Sequence, residues 1–409
     1  GSVSIGELIT VQSDQADIRI LADGDVSLGL VDARTATGRV AGTNVDQAGW
    51  GAISITSISG SIGDVSVTGT DIDLYANELR LSALNGSIGS DNLLDIEASQ
   101  VAAESGAGGI NLFDVTAIEV TTVTAVSVNR VASDASTSAI SDTASLVGLE
   151  ADALGDEGSI VLVTDTGAIT INDNLISGLH TLLEAATEIA VNATLSIGAD
   201  TSLIATTDIA IAGGESINAV GSIELQAQTG DITLGSAGVS AATLTTDAAN
   251  ILLNAGGAIG LGTLDARSAS DRGTDTLIDQ GTWGDVSLQA GDEIVDLPAN
   301  ADVNVYASNL KLDAGQQIGI VAGIDPVEIE VATIAATAGG EINVEERTDI
   351  VIGQISDISV NRVLRNAGFA SSVDSGDLKY ITTGNAGDLI FRTLNGDVQV
   401  AAGPTGAAI

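Results

Sequence analysis

The sequence predicts an all-β fold, a parallel β-helix or β-solenoid rod of about 20 residues per coil with loop inserts. Three observations carry the prediction: short alternating strand patterns at a spacing near 20, an apolar content almost without rings, and a long internal duplication. The strand pattern is a turn residue followed by strict alternation. It reads Gly-Ala-Ile169-Thr-Ile171, then Glu-Ile189-Ala-Val191, then Asp-Ile209-Ala-Ile211, and continues at Ile232-Thr-Leu234 and Ile251-Leu-Leu253. Period-two alternation of β-branched residues marks half-buried strands, and Gly, Asn or Asp between them marks turns. Helical spacing is nearly absent, and its clearest candidate lies around Leu182 to Ala186.

Composition fits a narrow interior. Hydrophobic residues make up 44% of the 409 and aromatic residues only 2%, so the core must be built from Ala, Val, Ile and Leu. Stacked coils of short strands, each ~4.8 Å above the last, leave little room for rings. An immunoglobulin-like sandwich array would need bulkier cores and a repeat near ~100 residues.

The longer duplication adds domain organisation. Val31-Asp32-Ala33-Arg34 matches Leu264-Asp265-Ala266-Arg267 at an offset of 233, and Trp50-Gly51 falls on Trp283-Gly284 at the same offset. Tyr75-Ala76 matches Tyr306-Ala307, and Ser127-Val128-Asn129-Arg130-Val131 matches Ser359-Val360-Asn361-Arg362-Val363. Residues 1–30 are therefore expected to end a preceding β-helical unit, 31–263 to form one unit of about 232 residues, and 264–409 a second, incomplete copy. Drift of one or two residues in the offset is what loops outside a rod tolerate. Two stretches in each copy break the alternation and are expected to leave the coil: 35–50 with 268–283, and 132–157 with 364–386. Strand pattern runs to both ends and no signal segment follows Gly1, so the chain is expected to be a segment of a longer repetitive protein.

Charge and composition exclude several functions. With 13 Lys plus Arg against 55 Asp plus Glu, a net charge of −42 is the wrong sign for displacing counterions from nucleic-acid phosphates. No run approaches the ~18 apolar residues of a membrane span. Absence of Cys removes disulfides, thiolate zinc sites and thiol nucleophiles. A rod this acidic repels its own copies unless ions screen it, which suggests a saline or divalent-rich setting.

The cadence Gly221-Ser-Ile-Glu-Leu225, Gly230-Asp-Ile-Thr-Leu234 and Gly284-Asp-Val-Ser-Leu288 resembles the repeat regions of filamentous-haemagglutinin-like adhesins and related giant bacterial surface proteins. The resemblance covers nearly the whole chain. It implies a right-handed parallel β-helical rod exported to the bacterial cell surface, with a structural or adhesive role.

Candidate chemistry is sparse. Polysaccharide-active β-helices need clustered carboxylates with a Lys, Arg or His. This chain has two lysines, Lys311 and Lys379, and one histidine, His180, in an apolar setting, so no catalytic residue is expected. Calcium is the candidate ion, with Asp71, Asp73, Asp156, Asp374 and Asp377 offering hard oxygen ligands near turns. The Gly-Gly-x-Gly-x-Asp repeat of calcium-binding β-rolls is missing, and scattered acidic turns also serve simply to solvate a surface. Trp50 and Trp283, the only tryptophans, could stack on glycans or anchor their inserts, and the anchoring role is preferred. Arg34 and Arg267 each follow an Asp by two residues, which predicts a local ion pair pinning the insert. Expected partners are further rods of the same kind or surface glycans, with a self-assembling filament, sheath or surface-layer subunit as the alternative function. A polysaccharide-active enzyme is the alternative of another class.

Overall fold

The computed structural model describes residues 1–401 apart from 42–46, 66–70, 91, 152–157, 239, 273–279, 298–301 and 322–324. The chain divides into two compact units: residues 1–187 with 365–367, and residues 188–364 with those from 368 onward. Both are β-solenoids in which successive coils pair as parallel strands.

In the second unit each coil passes through three short strands. Ile189–Val191, Leu195–Ile197 and Thr201–Ala205 make one coil; Ile209–Ile211, Ser216–Ala219 and Ile223–Ala227 make the next. Pairing is in register, so like residues stack. Ile189, Ile209, Ile232, Ile259, Ile294, Ile318 and Ile342 form one column. Leu203, Leu225, Leu253, Leu288 and Leu312 form another. All of these residues are essentially without solvent contact. The spacing is 20 residues between Ile189 and Ile209 and widens where an insert leaves the coil. Ile251 departs from the sequence expectation: it stacks on Ile223 in a different face, because the turn before Thr243–Thr245 lengthens that coil.

The first unit is built likewise. Val26–Leu28, Leu30–Asp32 and Ile53–Ser57 form one coil and stack on Val3–Ser4, Thr10–Gln12 and Ile18–Ala22. Two long strands in each unit serve two faces at once. They are Leu74–Ala83 (10 residues) and Leu94–Ser105 (12), and again Val305–Ala314 (10) and Val327–Ala338 (12). The helical candidate near Leu182 is instead the strand Thr181–Ala185, parallel to Ile160–Thr164. Leu182 and Leu183 are both buried there, one outward and one inward, which imitates helical spacing.

Corner chemistry explains much of the acidity. A carboxylate at the turn accepts the backbone N–H of the equivalent residue one coil later: Asp231 N donates to Asp208 Oδ1 at 2.8 Å, and Ala258 N to Asp231 Oδ1 at 2.7 Å. Asp25, Asp200 and Asp349 receive the same bond from Ser61, Ser222 and Asp397. These bonds continue the ladder through turns whose N–H groups would otherwise lack a partner. Glycines close other corners. Gly256, Gly291, Gly315 and Gly339 stack so tightly that a Cβ on any of the last three would overlap the carbonyl oxygen of the glycine below.

The expected excursions take definite form. The first opens with the short helix Ala36–Ala41 and ends in a 3-10 turn at Gln47–Gly49. The second excursion of each copy is an antiparallel hairpin that begins earlier than expected, Ser127–Val131 with Thr137–Ser141, and Ser359–Val363 with Phe369–Val373, and in the first copy the chain is back in the coil by Leu149–Ala151.

Two mutations test this packing. Ile189→Ala should cost about 2–5 kcal/mol and open mainly neighbouring coils, since coils couple to their neighbours; hydrogen exchange would map the opening. Gly315→Ala should cost about 1–3 kcal/mol through backbone overlap, and calorimetry would register it as a lowered transition.

Candidate functional site

Two devices recur on the solenoid, once in each unit. The first pins the insert before each tryptophan. Arg34 Nε and Nη2 donate to Asp32 Oδ1 and Oδ2 at 3.0 and 2.8 Å, and the Arg34 backbone N–H donates to Asp32 Oδ1 at 2.9 Å. The guanidinium carbon lies 3.4 Å from the Tyr75 ring centre, and Trp50 meets Tyr75 edge-on at 6.2 Å. In the second unit Arg267 forks onto Asp265 at 3.0 and 2.7 Å and stacks 3.7 Å from Tyr306, which Trp283 meets at 6.5 Å. Planar Arg suits both the bidentate bond and the ring face. A second arginine locks each insert: Arg39 Nη1 donates to the Arg34 and Ser13 carbonyls at 2.7 and 2.8 Å, and Arg272 Nη2 to those of Arg267 and Thr246. Trp50 and Trp283 are 6% and 5% exposed, so neither offers a stacking platform.

Beside each clasp lies a cleft lined by carboxyls. In the first unit it has a volume of about 280 Å³ and includes Arg34, Asp64, Asp71, Asp73 and Tyr75. In the second it is about 630 Å³ and includes Arg267, Asp302, Tyr306, Glu328 and Arg347. Burial, and then the neighbouring Asp64 carboxylate, push the Asp73 carboxyl up to about 9. Burial followed by Asp296 raises Glu328 to about 8, and burial followed by Asp64 raises Asp95 to about 6. Asn304 occupies the place of Asp73 in the second unit. Its Nδ2 donates to Asp296 Oδ1 at 2.7 Å and its Oδ1 accepts from Glu328 N at 2.9 Å. A protonated Asp73 has the same donor and acceptor pattern, since Asp73 Oδ2 accepts from Asp95 N at 3.1 Å.

The second device is the hairpin, which folds back over the outward side chains of earlier coils. Its neck packs on alanine: Val123 and Leu146 on Ala102, and Ile355 and Ile358 on Ala335. A buried ion pair follows. Asp142 accepts from Val126 N and binds Arg19 Nε at 2.7 Å with Arg80 at 3.8 Å; Asp374 accepts from Ile358 N and binds Lys311 Nζ at 2.8 Å. Burial of the Asp142 carboxyl is outweighed by Arg19, Ser54, Val126 and Arg80, which hold it below the usual range. The second hairpin continues further. Arg362 Nη2 meets Glu224 Oε1 at 2.5 Å, and the backbone N–H groups of Asn361 and Val363 each donate at 2.9 Å to Ser222 and Ser202.

The sequence-predicted residues thus fall in separate places. Asp71 and Asp73 line the first cleft, Asp374 is tied to Lys311, and Asp377 accepts from Gln354 at 2.8 Å. Asp156 lies outside the described residues. Among the described residues no three carboxyl or imidazole groups are arranged to hold a metal ion. His180 precedes the strand Thr181–Ala185, and its backbone N–H donates to Ser159 Oγ at 3.3 Å. Sequence reasoning missed the roles of Tyr75, Tyr306, Arg80, Lys311 and Glu224. The duplication marked the first four, Tyr75 on Tyr306 and Leu79-Arg80-Leu81 on Leu310-Lys311-Leu312, both at an offset of 231; Glu224 carried no signal, because its partner lies 138 residues away.

No helix among the described residues is long and apolar enough to cross a membrane. Searches against family profiles, curated proteins and solved structures find nothing that matches this chain.

The carboxyl shifts set a pH dependence. Asp73, Glu328 and Asp95 hold protons in the folded state at pH values where the unfolded chain has lost them, so stability falls as pH rises from about 4 to about 9. Asp73→Asn should flatten that slope and add about 1–3 kcal/mol at pH 8, read by thermal unfolding across pH. Asp374→Ala should cost about 3–5 kcal/mol by leaving Lys311 buried and unpaired, and should release the second hairpin to proteases.

Proposed function

We propose that this chain is a load-bearing segment of a bacterial surface protein, structural or adhesive, working outside the cell. One observation carries the reading. The second hairpin runs across the strands: its bonds to Ser202, Glu224 and Lys311 and its apolar contact with Ala335 link the adjacent coils of Ser202 and Glu224 to the adjacent coils of Lys311 and Ala335, and among the described residues no strand of the first pair bonds to one of the second. A backbone ladder alone couples each coil only to its neighbours. A transverse strut resists bending and peeling, which serves a rod under load and has no use in turnover. The acidic composition and the adhesin-like cadence support an exported rod, and buried aliphatic columns supply its stability.

Self-assembly into a filament or sheath is the second reading, favoured by the exposed outer strand of the first hairpin, Thr137–Ser141. Surface glycans and further rods are the partners that the two readings imply, and calcium enters only as a screening or bridging ion. Electron cryo-microscopy of the native material, with and without a calcium chelator, separates them. Single slender particles, unchanged by chelator, are expected for a stalk. Ordered multi-rod assemblies would establish the filament reading, and their dissolution by chelator alone would make calcium structural. Turnover of a polysaccharide by the purified chain would overturn both.

A further inference from the structure

The buried ion pairs under the two hairpins differ in their cations. In the first unit Asp142 faces two arginines, Arg19 and Arg80. In the second, Leu252 stands in the place of Arg19 and Lys311 in that of Arg80. Among the described residues Asp374 therefore pairs with a single cation, a lysine. The chain has only two lysines, and the other, Lys379, is exposed. A guanidinium keeps its proton in proteins, whereas an amine in a dry site can release one and act as a nucleophile.

The contact itself is unusual for an ion pair. The Lys311 side chain is 4% exposed and that of Asp374 is fully buried. Lys311 Nζ lies 2.8 Å from Asp374 Oδ2, yet Oδ2 has no hydrogen-bond partner among the described residues, so the amine approaches it off any hydrogen-bonding direction. Nζ donates instead to the Gly376 carbonyl, while Asp374 Oδ1 accepts the Ile358 N–H at 3.0 Å. Ser287, opposite Lys311 on the adjacent strand, holds a buried hydroxyl that also lacks a partner among the described residues. An ion pair so poorly supplied with hydrogen bonds is costly to bury. An amide in its place has no charge to desolvate.

We propose that Lys311 and Asp374 condense into an intramolecular amide, a covalent bolt between the coil and the second hairpin. A proton passes from Nζ to Oδ2 across the 2.8 Å contact, leaving a neutral amine and a neutral carboxyl. Nζ then attacks Cγ, and the charge that develops on Oδ1 meets the Ile358 N–H. The Nζ–Cγ bond forms, the Cγ–Oδ2 bond breaks, and Oδ2 leaves as water with a second proton from the amine. Asp313 is placed to carry that second proton. It lies two residues along the strand from Lys311, on the same face and half-buried, and burial raises its carboxyl while the Lys311 charge lowers it. Fixed contact between the two groups replaces the activation that a free acid and amine require. Arg19 and Arg80 cannot make this bond, so the first hairpin keeps an ion pair. The amide is independent of the mechanical role proposed above, although it would serve one.

Mass spectrometry of the denatured full chain tests the assignment. The expected mass is one water below that of the sequence, and trypsin should leave Lys311 uncut, with peptide 273–347 joined to peptide 366–379. Lys311→Arg keeps the charge and should restore the full mass and separate peptides. Asp374→Asn should give the same joined peptides with ammonia lost in place of water, which ties the loss to this side chain. Asp313→Asn should slow the appearance of the joined form at least tenfold, and joining at the parental rate would remove Asp313 as the proton carrier. Resistance of Arg362 to trypsin before denaturation reports that the hairpin is folded. A folded chain of full mass, cut after Lys311 once denatured, would overturn the proposal. A lost water with Lys311 and Asp374 in separate peptides would overturn it too, since a cyclic imide within the backbone gives the same mass.

Discussion

In-register parallel pairing is the constraint on which everything else depends. Each strand residue sits on its equivalent in the coil before, so a column accepts only residues that pack against copies of themselves. Isoleucine and leucine do this well because branched side chains stack along a pleated surface without leaving gaps. Aromatic rings would need an interior wider than three short strands enclose. The same constraint makes the core tolerant of inserts, since a coil lengthens at its corner without shifting the columns on either side.

Corners carry the price of this arrangement. A turn interrupts the ladder, and its backbone donors must find acceptors within one coil spacing. Carboxylates such as Asp208 and Asp231 meet that need because they accept without donating and reach one rung up. A large part of the negative charge is therefore structural at its origin. The stacked glycines solve the opposite problem, corners where backbones approach too closely for any side chain.

Lateral devices add what the ladder lacks. The Arg–Asp–Tyr clasps hold inserts against the coil, and the hairpins link coils several rungs apart. Asp73 and Asn304 show one position solved in two ways: a carboxyl that must keep its proton, and an amide that needs none. In the clefts the charges of Arg34 and Arg267 are already met by Asp32 and Asp265, so these arginines act as positioning groups rather than free anion sites.

By itself the sequence determined the solenoid class, the aliphatic columns and the existence of inserts, because period-two alternation and a spacing near 20 are local properties. It also marked Arg34, Trp50, Arg267 and Trp283 through the duplication, and it placed an aspartate within reach of each arginine. Only the tertiary structure decided which face a strand joins. Ile251 reads in sequence as the next member of the Ile232 series, yet a longer turn carries it to another column. Likewise Thr181–Ala185 is a strand because its neighbours on the ladder are strands, whatever the local spacing of its leucines. The pairing of Arg362 with Glu224 was illegible for the same reason: side-chain partners across a solenoid flank are chosen by the number of residues in every intervening coil, and no local pattern records that sum.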